Sequence, residues 1–133
     1  MRRVKIGVVG CGAIAQVHHM PNLFELQDRF EVKAVCDVSA GAAEYVANWY
    51  DVPQHFTDYH DLLDTDVEAV LLCHSDPKTE IALASFEARK HVLVEKPVCF
   101  SLQEIDAMIA AKHRARTVGQ AAYMKVFDPA YEV

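Results

Sequence analysis

Two hydrophobic periods alternate along the chain. Val4-Lys5-Ile6-Gly7-Val8-Val9 is a β-branched run that predicts a strand. Residues 13–27 are helical in tendency, with Pro21 expected to bend or break the helix. Residues 31–37 predict a second strand, and Ser39 can cap a helix over 42–50 that Asp51-Val52-Pro53 ends. His55-Phe56 is at most a short strand, and residues 58–63 form a helix of one or two turns. After their first residues, Glu68 and His91, the runs 68–73 and 91–94 are apolar, as buried strands are, and 79–89 between them is an amphipathic helix. Ser101-Leu102-Gln103-Glu104 is a capping box. The helix it opens carries Leu102, Ile105, Met108 and Ile109 at helical spacing, with Lys112, Arg114 and Arg116 placed to suit the dipole near its end. Residues 117–123 predict a last strand.

Apolar strands separated by helices imply a parallel sheet covered on both faces. Right-handed crossovers then give α/β architecture, a Rossmann-type doubly wound sheet. No repeat or linker interrupts the pattern. At 133 residues, 52% hydrophobic and 24% charged, the chain can bury a core without a disulfide or metal staple. That composition excludes a disordered chain. The net charge of −6 argues against nucleic acid as a partner. No apolar run reaches the roughly 20 residues of a membrane span. Arg2 and Arg3 before an apolar stretch mimic a signal peptide, but the glycines at 7, 10 and 12 have a better explanation. Cys11, Cys36, Cys73 and Cys99 form no C-x-x-C pair, so a reduced, cytoplasmic protein without a metal site is expected.

Gly10-Cys11-Gly12-Ala13-Ile14-Ala15 matches G-x-G-x-x-G/A between a predicted strand and a predicted helix. Gly10 permits the tight turn, Gly12 lets a pyrophosphate approach the backbone, and Ala15 lets helix and sheet pack closely. The phosphates then meet free N–H groups at the helix start. Any glycine turn between strand and helix would also fit this short motif. Asp37 adds weight, because it ends the second strand 22 residues after Ala15, close to the expected spacing of about 20. A carboxylate there accepts hydrogen bonds from the hydroxyls of an adenosine ribose and repels a 2′-phosphate. Val38, Ser39 and Ala40 offer no cation for such a phosphate, so NAD is favoured over NADP. A plain turn or cap aspartate remains the alternative for Asp37.

Ligands of an open parallel sheet sit beyond the carboxyl ends of its strands. That edge carries Gly10 to Gly12, Cys36-Asp37, Cys73-His74-Ser75-Asp76-Pro77, Glu95-Lys96-Pro97 and Tyr123-Met124-Lys125. The cysteines read as small apolar fillers. His74 is the best placed histidine, whereas His18 and His19 read as packing or surface residues. Lys96 follows a buried strand; it is either a tuned proton donor or a surface lysine, and Glu95 could hold it in place.

The run Glu87 to Pro97, Glu-Ala-Arg-Lys-His-Val-Leu-Val-Glu-Lys-Pro, resembles the E-A-G-K-H-V-L-x-E-K-P signature of the Gfo/Idh/MocA oxidoreductases, the family of glucose–fructose oxidoreductase and inositol 2-dehydrogenase. The glycine turn with His18 is similar to that family too, as is Tyr123-Met124-Lys125 followed by Phe127-Asp128-Pro129-Ala130-Tyr131. The resemblance implies a dinucleotide-binding domain over residues 1–124, with 125–133 starting a substrate domain otherwise absent from the chain. It implies Lys96 as the catalytic residue that handles the substrate hydroxyl proton, and a cis peptide bond between Lys96 and Pro97. The candidate cofactor residues are Gly10, Cys11, Gly12, Ala13, Ile14, Asp37, Val38, Cys73, His74, Glu95 and Lys96.

Three positions depart from the family pattern. Arg89 replaces a glycine, at a cost of about 1 kcal/mol if a left-handed cap is needed there. Ile81 stands at the histidine of T-P-N-x-x-H, which here reads Asp76-Pro77-Lys78-Thr79-Glu80-Ile81. Val126 replaces the second basic residue of a K-R pair, leaving Lys125 as a candidate substrate contact. The expected function is the NAD-binding part of a dehydrogenase of a sugar, inositol or related polyol, inactive by itself and oligomeric only with its other domain. The alternatives are a stand-alone nucleotide-binding or redox-sensing module without catalysis, and a domain using S-adenosylmethionine.

Overall fold

In the computed structural model, which describes residues 1–131, six parallel strands run in the order β3-β2-β1-β4-β5-β6. The strands are β1 (Val4–Val9), β2 (Phe30–Cys36), β3 (Gln54–Phe56), β4 (Ala69–Leu72), β5 (His91–Val94) and β6 (Gly119–Ala121). Helices α1 (Met20–Glu25), α2 (Ala40–Trp49), α3 (Tyr59–Leu63), α4 (Thr79–Glu87) and α5 (Leu102–Ala115) connect them. The order reverses between β1 and β4, which creates the crevice where a doubly wound sheet takes its ligands. Residues 132 and 133 of the expected 125–133 segment lie outside the described residues; Met124–Phe127 and Pro129–Tyr131 form 3₁₀ turns.

Because side chains alternate along a strand, the sheet separates two cores. Ile6, Val8, Val35, Leu71 and Cys73 pack with Met20 of α1 and Val46 of α2 on one face. Val9, Ala34, Val70, Leu72, Val92 and Val94 pack with Leu62 of α3, Phe86 of α4 and Met108 of α5 on the other. This two-sided burial explains why the central strands read as unbroken apolar runs.

The local signals act much as expected. Ser39 Oγ accepts from Ala42 N at 3.3 Å, though α2 already begins at Ala40. Asp58 caps α3 through His60 N at 2.9 Å. Ser101 Oγ accepts from Glu104 N at 3.2 Å, and Glu104 Oε2 reaches back to Phe100 N at 2.9 Å, one residue before the cap itself.

Three expectations need correction. Pro21 does not break its helix. The chain is helical over 13–25, with a π-helical segment at Ala15–His19 just before α1. The wider turn offers Pro21, which lacks an N–H and crowds the preceding turn, a place in the helix. The last strand is three residues long, shorter than the expected 117–123. On α5, Met108 is buried and Ile105 partly buried, whereas Leu102 and Ile109 are exposed.

Candidate functional site

The glycine turn is fastened to the sheet from two sides. Gly10 N–H donates to Cys36 O at 2.8 Å, and Cys11 N–H donates to Asp37 Oδ2 at 2.8 Å. Ser39 N–H donates to Asp37 Oδ1, also at 2.8 Å. Asp37 therefore joins the end of β2 to the turn after β1. A carboxylate has about four lone-pair positions, so these two bonds leave it accepting capacity.

The two glycines do different work. Gly10 has φ +95°, and a Cβ there would lie 2.6 Å from His74 N. A Cβ on Gly12 would meet nothing within 4 Å, so its missing side chain serves no internal packing. What it leaves open is a groove of about 460 Å³ at the switch point, whose walls include Gly12, Ile14, Asp37, Val38, Tyr59 and His74. Gly10, Ala13 and Cys73 also line the groove. The first N–H groups of the helix that starts at Ala13 have no intrahelical acceptor.

Cys11 lies buried beneath the turn, its backbone N–H on Asp37 and its Sγ 3.6 Å from Cys36 O. Burial, reinforced by Asp37, pushes its thiol up to about 12. Burial and Asp37 likewise push Cys36 up to about 11, and burial beside Glu95 pushes Cys73 well above the ordinary thiol range. These three thiols are apolar filler at neutral pH, as the sequence suggested. Among the described residues, no three His, Cys, Asp or Glu side chains come together as metal ligands do.

His74 is the unpaired polar group of this edge. Both ring nitrogens are buried without a hydrogen-bond partner. Burial and the Lys78 ammonium hold its pKa below the usual imidazole value, so the ring is neutral. A neutral imidazole offers one donor and one acceptor; the Val9 and Pro77 backbone lies near the ring, but no well-aligned hydrogen bond forms to either nitrogen.

Glu95 and Lys96 do not line the groove but form an adjoining cluster at the end of β5. Glu95 Oε1 lies 2.8 Å from His19 Nε2, and Glu95 Oε2 accepts from Lys96 N–H at 2.8 Å. Glu95 thus holds the Lys96 backbone and leaves the exposed side chain free. The Lys96–Pro97 bond is cis, as the resemblance implied. Lys78 joins from the opposite side, its Nζ donating to Pro97 O at 3.0 Å.

Sequence reasoning placed Ser75 and Asp76 at this edge, and both line the groove; it missed Tyr59 on the groove wall, and His19 and Lys78 in the cluster. Applying the strand-end rule to β3 as well would have pointed toward Tyr59. The register that turns His19 toward Glu95 follows the π segment, which no sequence period announces.

Residues 4–123 match the GFO_IDH_MocA oxidoreductase family, described by its NAD-binding Rossmann fold. The chain belongs to that family. It is 33% identical over 132 residues to inositol 2-dehydrogenase from Salmonella typhimurium, covering 96% of this chain and 39% of that one. The structure of a probable dehydrogenase from Thermotoga maritima superposes with TM-score 0.87 at 31% identity, covering 94% of this chain and 38% of the other. A scyllo-inositol dehydrogenase from Lactobacillus casei, solved with NAD(H) and scyllo-inositol, shares the fold with TM-score 0.88 at 23% identity. It is covered to 39% of its length, for 98% of this chain. The chain thus spans about two-fifths of the length of the relatives it matches.

Within the Gfo/Idh/MocA pattern, Arg89 indeed takes a left-handed conformation, φ +59°. Ile81 packs half-buried against the core, so an apolar contact stands where the family has histidine. Lys125 pairs with Asp128 at 3.0 Å, and Val126 is exposed. No helix among the described residues is long and apolar enough to cross a membrane.

Proposed function

We propose that this chain is the dinucleotide-binding unit of an NAD-dependent dehydrogenase acting on a sugar, inositol or related polyol. Residues 1–124 form that unit and residues from 125 lead toward a substrate-binding domain. The observation that carries the reading is the pairing of an open Gly12 with Asp37 across one groove, with Lys96 at the neighbouring strand end.

The residues present fit a dinucleotide. Gly12 and the N–H groups of Ala13 and Ile14 would face its pyrophosphate, where the positive helix end favours an anion. The free lone pairs of Asp37 would accept from the adenosine ribose. Asp37, Asp58, Asp61 and Asp76 make that end of the edge acidic, and Val38 offers no cation, which supports NAD over NADP. The unsatisfied ring of His74, with Cys73, closes the inner wall. NAD, when bound, supplies the hydride acceptor. Lys96 then takes or returns the hydroxyl proton of the substrate, while Glu95 fixes its backbone. With the substrate contacts supplied elsewhere, this chain alone binds the dinucleotide without turnover.

Calorimetry tests the reading against its alternatives. NADH should bind, and S-adenosylmethionine should not displace it; the reverse ranking would overturn the proposal. A steady rate with a polyol panel would refute the division of labour. In a complete dehydrogenase, Lys96→Ala should lower kcat by about 100-fold or more while NADH affinity changes little. Wild-type turnover by that variant would support the non-catalytic module instead.

A further inference from the structure

Position 78 breaks three local rules at once. It is the N-cap of α4, yet lysine makes no capping hydrogen bond there. It places a cation at the positive end of a helix dipole. It is also buried to 1% exposure, among the largest fully buried side chains of the chain, and burial holds its pKa below the ordinary lysine value. The family pattern T-P-N has a neutral asparagine here. A sequence that breaks local rules in one place commonly does so for a site.

The compensation lies across the sheet edge. Lys78 Nζ donates to Pro97 O at 3.0 Å, and the Glu95 carboxylate is the strongest of the charges that favour its ammonium. On the other side of the same dipeptide, Glu95 Oε2 holds Lys96 N–H at 2.8 Å, with His19 on Oε1. The Lys96-Pro97 pair is therefore gripped at its first N–H and at its last C=O. A charge-assisted bond at one end and a carboxylate at the other allow the backbone little motion.

We propose that Lys78 is a positioning residue: its buried ammonium pins the Pro97 carbonyl and so fixes the backbone from which Lys96 reaches the reacting hydroxyl. The catalytic meaning rests on the role given to Lys96 above; the clamp itself does not. Lys78→Asn removes the clamp while keeping a neutral polar side chain at the helix start, because asparagine is too short to reach Pro97. Lys78→Met fills the space without the clamp or a polar group.

Amide hydrogen exchange and amide NMR shifts of this chain read the effect directly. In Lys78→Asn, the Lys96 amide should exchange at least tenfold faster and its resonance should move. The amides of Val92 and Val94 should stay within twofold. NADH affinity should stay within threefold, since Lys78 does not line the groove. An unchanged Lys96 amide in a folded Lys78→Asn chain would overturn the clamp. Equal acceleration along β5 would also overturn it, by showing a purely structural role. If Lys78→Met unfolds, Lys78→Asn alone decides. Failure of the dinucleotide reading shows separately, as absence of NADH binding by the unaltered chain.

Discussion

The two glycines of the phosphate-binding turn should respond oppositely to one added methyl group. Gly10→Ala places a Cβ at φ +95°, where a non-glycine residue costs about 1–3 kcal/mol. That Cβ also lies 2.6 Å from His74 N and 3.0 Å from Cys73 C. Neither atom yields easily, because Cys73 N–H is bonded to Val9 O at 2.7 Å in the middle of the sheet. Overpacking of this kind costs about 1–3 kcal/mol more. The sum, about 2–6 kcal/mol, is a large part of the 5–15 kcal/mol that stabilises an ordinary domain. With a urea slope of about 1–3 kcal/mol/M, the midpoint should fall by about 0.7 M or more. Gly12→Ala meets no atom within 4 Å and needs no left-handed backbone, so its midpoint should be unchanged or slightly higher. The methyl group would instead stand in the groove and lower NADH affinity at least tenfold, about 1.4 kcal/mol. Urea melts and NADH fluorescence titrations of both variants check this. A destabilised Gly12→Ala, or a Gly10→Ala of wild-type stability, would refute the assignment of one glycine to folding and the other to ligand approach.

Other expectations follow from single features. Arg89→Gly should raise stability by about 1 kcal/mol in urea melts, because glycine adopts φ +59° without the strain arginine bears. His74 is held neutral in the fold, with its pKa below the 6.5 of a free imidazole. Above 6.5 both states are neutral and the group adds nothing; as pH falls below 6.5 the unfolded chain gains the proton first, so stability declines until the folded pKa is passed. His74→Gln should remove this part of the pH dependence, as thermal melts across pH 5–8 would show. Native alkylation followed by peptide mass mapping should mark Cys99 well before Cys11, Cys36 and Cys73, which are buried and held protonated. Early labelling of Cys11 would contradict the closed turn.

The order of strands and helices was legible because the central strands are buried on both faces and read as continuous apolar runs. Ser39 and Ser101 then marked helix starts in plain side-chain chemistry, whereas Asp58, read as the first helical residue, is the cap of α3. Gly10, Gly12 and Asp37 were legible as a set because their spacing is fixed by the strand-turn-helix geometry that joins them. Periodicity failed where it carries no direction. The spacing of Leu102 and Ile109 shows a helix but not which neighbour covers it, and both are exposed. Pro21 read as a bend or a break because nothing in sequence announces a π segment. Lys78 was illegible for a physical reason: a lysine in a polar loop is solvated by default, and only the fold brings Pro97 O within reach.

The claim that this groove selects NAD through Asp37 is tested most directly by titrating the chain with NADH and with NADPH at matched ionic strength. Saturable NADH binding at least tenfold tighter than NADPH, with the difference lost in Asp37→Ala, is the predicted result. Tighter binding of NADPH, or no binding of either, would contradict it.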